Sequence, residues 1–396
     1  MYVTRPLSMY RRDPSALSLP PPEGPNSGIL VILDEEAQPT CCFGSCKSNE
    51  LRELPFPQNK NLRTSYTTGG GEHRHTEYKK VVFIPVLNQP LSSNRCYAIQ
   101  PRGKHQGEAF TNSKEEDMST CCFCQVINDR KPEPFDPNNI YQQIEICRRH
   151  KGSFSAKSVE PDGFPPKFLR RKGWQLEIKR SRNFDLGEAP GLDTTLRARL
   201  PDFNNLSLSS KSSKPVVVGE WYCPFIFIKE TSLTLKQQMN TSMYYEMTLE
   251  QRWEQIFSCE NGNNQDNVVV VDVAVQRELV SLAGIKEGVA DENIHLVDGV
   301  MWFRSVNTVG GGVLSVGLGT AITERMKREQ ERFGWNIGAN EREVRVKRVE
   351  EFRGVGEWRK FGCYALVESF VLKRMDRSLV LTYDFKHTHQ IRTKWE

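Results

Sequence analysis

The chain has 396 residues, 38% of them hydrophobic and 26% charged, with a formal net charge of +5. That composition excludes the disordered and fibrous classes and leaves room for two or three domains with real cores. The longest uncharged stretch, residues 305–323, is broken by five glycines and lacks the roughly 20 apolar residues of a membrane span.

The N-terminal residues show no apolar segment followed by small residues, so the protein is expected to stay inside the cell, cytoplasmic and/or nuclear. Eleven cysteines, an odd number with adjacent pairs at 41–42 and 121–122, then suit reduced thiols better than a disulfide framework.

Along the chain, one motif order occurs twice. Pro22-Glu23-Gly24, Gly28, Glu35-Glu36, Thr40-Cys41-Cys42-Phe43 and Pro55-Phe56 return as Pro101-Arg102-Gly103, Gly107, Glu115-Glu116, Thr120-Cys121-Cys122-Phe123 and Pro134-Phe135, at offsets of 79 or 80 residues. Pro6-Leu7-Ser8 against Pro90-Leu91-Ser92 extends the match upstream. The spacing reads as a tandem duplication over residues 1–145, in units of about 1–65 and 81–145. Short apolar runs between turn residues, such as Gly28–Leu33 and Val81–Ile84, make each unit a β-module.

Residues 146–214 read as a basic connector and linker. Eleven Lys and Arg face three acidic residues between Arg148 and Arg182, so this stretch carries more than the whole net charge and the remainder is net negative. Ser207–Lys214 reads as a more flexible piece. The remainder, 215–396, reads as a C-terminal α+β domain, an antiparallel sheet with two helices. Val269, Val271, Val273 and Val275 share a strand face. Val344–Lys347 and Leu379–Lys386 alternate apolar with polar. Thr248 and Gln251 form a capping box ahead of Leu249, Trp253 and Ile256 at helical spacing, and a second helix is expected from about Thr320 to Gly334. Val218-Gly219-Glu220-Trp221 returns as Val355-Gly356-Glu357-Trp358, a second short repeat. The fold class is α+β with β dominant.

The strings MYVTRPLS, PPPEGPNSG, EEDMSTCCFC, PDGFPPKFLRRKGW, LRARLPDF, WYCPFIFIKE, YYEMTLEQRW and YDFKHTHQIRTKWE span nearly the whole chain. In them the sequence resembles a plant-specific family catalogued only as a domain of unknown function, number 1262. The resemblance implies a plant source and supplies no activity, cofactor or catalytic residue.

Three groups of residues carry candidate chemistry. Cys41, Cys42 and Cys46 with Cys121, Cys122 and Cys124 could supply two metal ligands from each repeat, with His73, His75 and Cys96 between them. Their unmatched spacing favours instead small apolar residues packing with Phe43 and Phe123, with acylation or redox chemistry as a further reading. His387 and His389 project together from a strand, yet they continue an apolar face and read as the edge of a core. Arg170, Arg171, Lys172, Lys179 and Arg180, interleaved with Trp174, form a candidate contact for anions or nucleic acid and have a bipartite nuclear-import look. A solvated connector docking on the net-negative remainder explains the same charges. The glycine-rich run Val309–Thr320 is neither a P-loop nor a nucleophile elbow.

No cofactor is expected. The leading reading is a non-catalytic binding or scaffold protein with protein partners and no transmembrane segment. Its rivals are a nucleic-acid binder and an enzyme with an unrecognised site.

Overall fold

The computed structural model describes all residues except 42–45, 70–72, 122–123, 180–185, 263–266, 289–293, 298, 307–312 and 336–341. Strands dominate, and the described helices are α1 (Leu7–Arg12), α2 (Lys167–Arg170), α3 (Thr194–Arg199), α4 (Leu235–Thr241) and α5 (Thr320–Arg332). The class is α+β with β dominant, as expected. The chain divides into two compact units, 1–190 with 222–244, and 191–221 with 245–396.

In the first unit, β1 (Tyr2–Pro6) runs parallel to β2 (Gly28–Ile32), with Tyr2 opposite Gly28. Only glycine fits there, since a Cβ would meet Tyr2 Cε1 at 2.5 Å. Two hairpins follow the paired cysteine motifs. They join β3 (Thr40–Cys41) to β4 (Cys46–Lys47) and, after β5 (Glu50–Leu51), β6 (Asn61–Thr68), β7 (His75–Pro85) and β8 (Arg95–Ile99), β9 (Met118–Cys121) to β10 (Cys124–Ile127). Pro6 and Pro90 each precede a short helical turn, and Gly24 and Gly103 each adopt positive φ. The two segments therefore share local geometry at these points.

Residues of both segments, 1–65 and 81–145, contribute to one sheet. With β11 (Gln143–Arg148), β12 (Phe154–Ser158) and β13 (Gln175–Lys179), its order is β12-β11-β8-β7-β6-β13-β5. One core collects Phe56, Leu62 and Phe83 with Ile144, Phe154 and Trp174. Residues 146–179 are consequently not a connector. Their alternating apolar residues, Leu176 and Ile178 against Glu177 and Lys179, are those of a strand, and the prolines around α2 only turn the chain between strands.

The second unit holds an antiparallel sheet in the order Tyr244–Glu260, Lys360–Arg374, Leu379–Trp395, Glu278–Leu282, Ile285–Gly288. A separate ribbon pairs Val268–Gln276 with Glu343–Glu351, burying Val269, Val271 and Val275 while Val268 and Val270 stay exposed. Helix α5 stands where expected and ends before Gly334, whose φ of +80° closes it. The helix expected at 248–256 is instead part of a 17-residue strand. Leu249 and Trp253 lie four apart, which places them on one face in either structure. The register shift between Gln255 and Phe257 then lets Ile256 follow an odd-numbered apolar run. The second helix of the unit is α3. The two Val-Gly-Glu-Trp sites do not correspond in local structure: Val218–Trp221 lies in the strand Val216–Pro224, whereas Val355–Trp358 lies between strands.

Ser207–Lys214 is no flexible linker. Leu206 and Leu208 are buried with Trp253, and residues 211–213 line the strand edge, Gln255 N donating to Lys211 O (2.8 Å) and Ser213 N to Trp253 O (2.9 Å). Hydrogen-bonded edge backbone resists proteases. Limited trypsin digestion is therefore expected to cut after Lys172, exposed in a turn, well before Lys211. Early cleavage at Lys211, read by mass spectrometry of the fragments, would show that this edge is open.

Candidate functional site

Antiparallel pairing puts opposite residues on the same face of a sheet, and every second residue along each strand joins them. Lys179 of β13 stands opposite Asn61 of β6, Glu177 opposite Arg63, and Arg63 opposite Lys80 of β7. One face at this end of the sheet therefore carries Lys179, Arg63 and Lys80. Leu176, Leu62 and Val81 face the other way, into the core.

Two further segments of the first unit wall this face into a cleft of about 450 Å³. The first is the loop after β8, closed by Gly107 N donating to Gln100 O (2.8 Å), which brings Arg102 and Gln106 to the rim. Gly107 is required twice, for a φ of +91° and because a Cβ would meet Leu235 Cγ at 2.7 Å. The second is α4, seated on that glycine, with a Thr234/Gln237 capping box fixing its start. It supplies Met239 and Asn240, followed by Met243. Gln106 Nε2 donates to Asn240 Oδ1 at 2.6 Å, joining the two walls.

The electrostatics of this cleft are one-sided. Glu177 accepts from Arg63 at 2.6 Å and pairs with Lys179 at 3.2 Å. Burial alone would raise its carboxyl pKa, but these hydrogen bonds outweigh it and hold the pKa below the usual value. Arg63 also lies over the Tyr78 ring, 4.0 Å from its centroid. Among the described residues, neither Lys80 nor Arg102 has a carboxylate within 4 Å. Desolvation, then the positive fields of Arg102, Arg63 and Lys179, press the Lys80 ammonium below its ordinary pKa. An anion placed here would relieve that repulsion.

Of the basic residues singled out in the sequence, only Lys179 reaches this cleft among the described residues. Arg170 is held by Asp129 (2.6 Å) and Pro165 O (2.9 Å), and Arg171 pairs with Glu77 (2.5 Å) and covers the Tyr66 ring. Lys172 is exposed in its turn, and Arg180 lies outside the described residues. Trp174 is fully buried, its Nε1 donating to Leu169 O at 2.8 Å, so it offers no face to a base. Lys80, Arg63 and Arg102 escaped the sequence reading because they stand far from the basic run and only strand register gathers them.

The cysteines fall in the two hairpins, Cys41 opposite Cys46 and Cys121 opposite Cys124. Cys46 and Cys124 are exposed. Cys42 and Cys122 lie outside the described residues, as do the side chains of Cys41 and Cys121. Among the described residues no three His, Cys, Asp or Glu side chains are grouped to hold a metal.

The second unit has a buried ionic network. Arg197 of α3 grips Glu368 with two hydrogen bonds of 2.7 Å and reaches Glu329 of α5 at 3.1 Å. Arg325 pairs with Glu329 at 2.7 Å, while Gln251 Nε2 and His387 Nε2 lie 3.0 Å from Glu368. His387 is thus a core residue, as its apolar face suggested, and His389 packs edge-on against it with its pKa lowered by desolvation and then by the neighbouring His387. The charged groups of the network, the surface-reaching Arg332 aside, are at most 4% exposed. Without solvent access the network braces α3 and α5 on the sheet and admits no substrate.

The class these observations define is a β-dominant α+β protein with a basic cleft in its first unit. Residues 23–123 match a family described as "Protein of unknown function (DUF1262)". No curated protein matches the chain. Among solved structures the chain is similar to one titled "Crystal structure of Cry35Ab1", at 11% identity and a TM-score of 0.47, covering 86% of this chain and 90% of that one. Among the described residues no helix is long and apolar enough to cross a membrane.

Proposed function

We propose that this is a non-catalytic binding protein whose first unit takes an anionic ligand in the cleft of Lys80, Arg102 and Lys179. The observation that carries the reading is the imbalance of charge there: three cations and no carboxylate line the cleft, and Lys80 and Arg102 have no acidic partner among the described residues. Opposite charge and directed N–H groups at a concave site are what anion recognition needs. The nucleic-acid reading loses its stacking residue, since Trp174 is core. The free thiols of Cys96, Cys124, Cys147, Cys223, Cys259 and Cys363 support an intracellular, reducing setting, and the repeated turn geometries support the tandem duplication.

Calorimetric titration of the whole chain with inorganic phosphate at low salt tests the reading. Saturable binding is expected, weakened at least about tenfold in Lys80→Ala/Arg102→Ala, since each hydrogen bond to a charged group contributes about 1.5–3 kcal/mol. Absence of saturable binding, or equal affinity in the double variant, would sink it.

A further inference from the structure

Resting on that reading, we propose that the ligand is a small amphiphilic anion, an oxyanion head carried on a compact apolar or aromatic body. The cleft is too large and too apolar for an inorganic ion alone. Its volume of about 450 Å³ falls in the range of small-molecule sites. Beside Lys80, Arg102 and Lys179, the cleft is lined by Val82, Met239 and Met243, each at most 9% exposed.

Methionine is unbranched and polarizable, fills irregular gaps and makes favourable contacts with aromatic rings. Two methionines beside a basic rim therefore suit a body of variable shape better than a fixed hydrocarbon. The linked amides of Gln106 and Asn240, with Asn61, add neutral hydrogen-bonding groups to the lining. Those groups match an ester or hydroxyl oxygen joining head to body. The same volume holds a head with a short body and is too small for a two-chain membrane lipid, so the occupant is a soluble molecule.

The experiment titrates the full chain with inorganic phosphate, 1-naphthyl phosphate and 1-naphthol, and sediments it with vesicles of phosphatidylcholine containing phosphatidic acid. 1-Naphthyl phosphate is expected to bind at least about tenfold more tightly than phosphate, from the apolar area removed from water. 1-Naphthol is expected to bind at least about tenfold more weakly than its phosphate, having lost the charge-assisted contacts. Vesicles should not bring the protein down. In Met239→Gln the advantage of naphthyl phosphate over inorganic phosphate should shrink about fivefold.

If phosphate and naphthyl phosphate bind equally, the amphiphile is refuted while the anion site stands. If neither binds, both fall. Naphthol binding as tightly as its phosphate would refute recognition of the head, and vesicle binding without affinity for naphthyl phosphate would replace the soluble ligand by a membrane surface. The comparison among the ligands on the unmodified chain decides these outcomes even if the methionine variant does not fold.

Discussion

Glu368→Ala is expected to lower the unfolding free energy by about 3–5 kcal/mol, because it strands the Arg197 guanidinium in a buried site. Arg197 keeps only Glu329, which Arg325 and Arg332 already share, and Gln251 and His387 lose their acceptor. Guanidinium denaturation of the whole chain measures this, and a loss below about 1 kcal/mol would show that the network does not carry the packing of α3 and α5. The same pair sets an acid limit. Burial alone would raise the pKa of the Glu368 carboxyl, but hydrogen bonds from His387 and Arg197 overcome it and hold the folded-state pKa below the ordinary 4.5. A carboxyl with a depressed folded pKa adds stability above its unfolded pKa, and that contribution disappears as pH falls through the folded value. The chain is expected to lose stability progressively on acidification below about 4.5, and Glu368→Gln should flatten that limb. An unchanged limb would place the acid sensitivity in other carboxyls.

Trp174→Ala is expected to cost about 3–5 kcal/mol, the range for truncating a fully buried large aromatic side chain. The indole stands among Phe56, Phe83 and Phe154, with centroid separations of 6.4, 6.5 and 5.2 Å, and its N–H is satisfied by Leu169 O. Trp174→Phe keeps part of the packing and should cost less. A role in stacking on bases makes the opposite demand, a variant of normal stability that binds nucleic acid less well. Thermal denaturation beside a nucleic-acid titration separates the two, and undiminished stability of the alanine variant would return Trp174 to the surface.

The unequal legibility of the chain follows from what each signal spans. The valines at 269, 271 and 275, the alternation from Leu379 onward and the glycine stop after α5 are patterns within one element, so the sequence alone specified those elements and the β-dominant class. The hairpins at the two cysteine motifs also belong to this local category. The helix expected at 248–256 is a strand, and the informative spacing, Leu249 to Trp253, satisfies both the helical and the strand period. Fifteen pairings with Lys360–Arg374 decide for the strand. The basic run suggested one positive surface, and folding disperses its described residues into a core tryptophan, two paired arginines, an exposed turn lysine and a cleft lysine.

The cleft and the ionic network lay beyond any local reading. Lys80 and Lys179 come from strands on either side of β6 and meet through its register, and Arg197 meets Glu368 across 171 positions of sequence. Hydrophobic period fixes which face a side chain takes, because it is imposed residue by residue on a single strand or helix. Which faces then meet is settled by register and packing among distant segments, and only the tertiary structure brings the charges of this protein together.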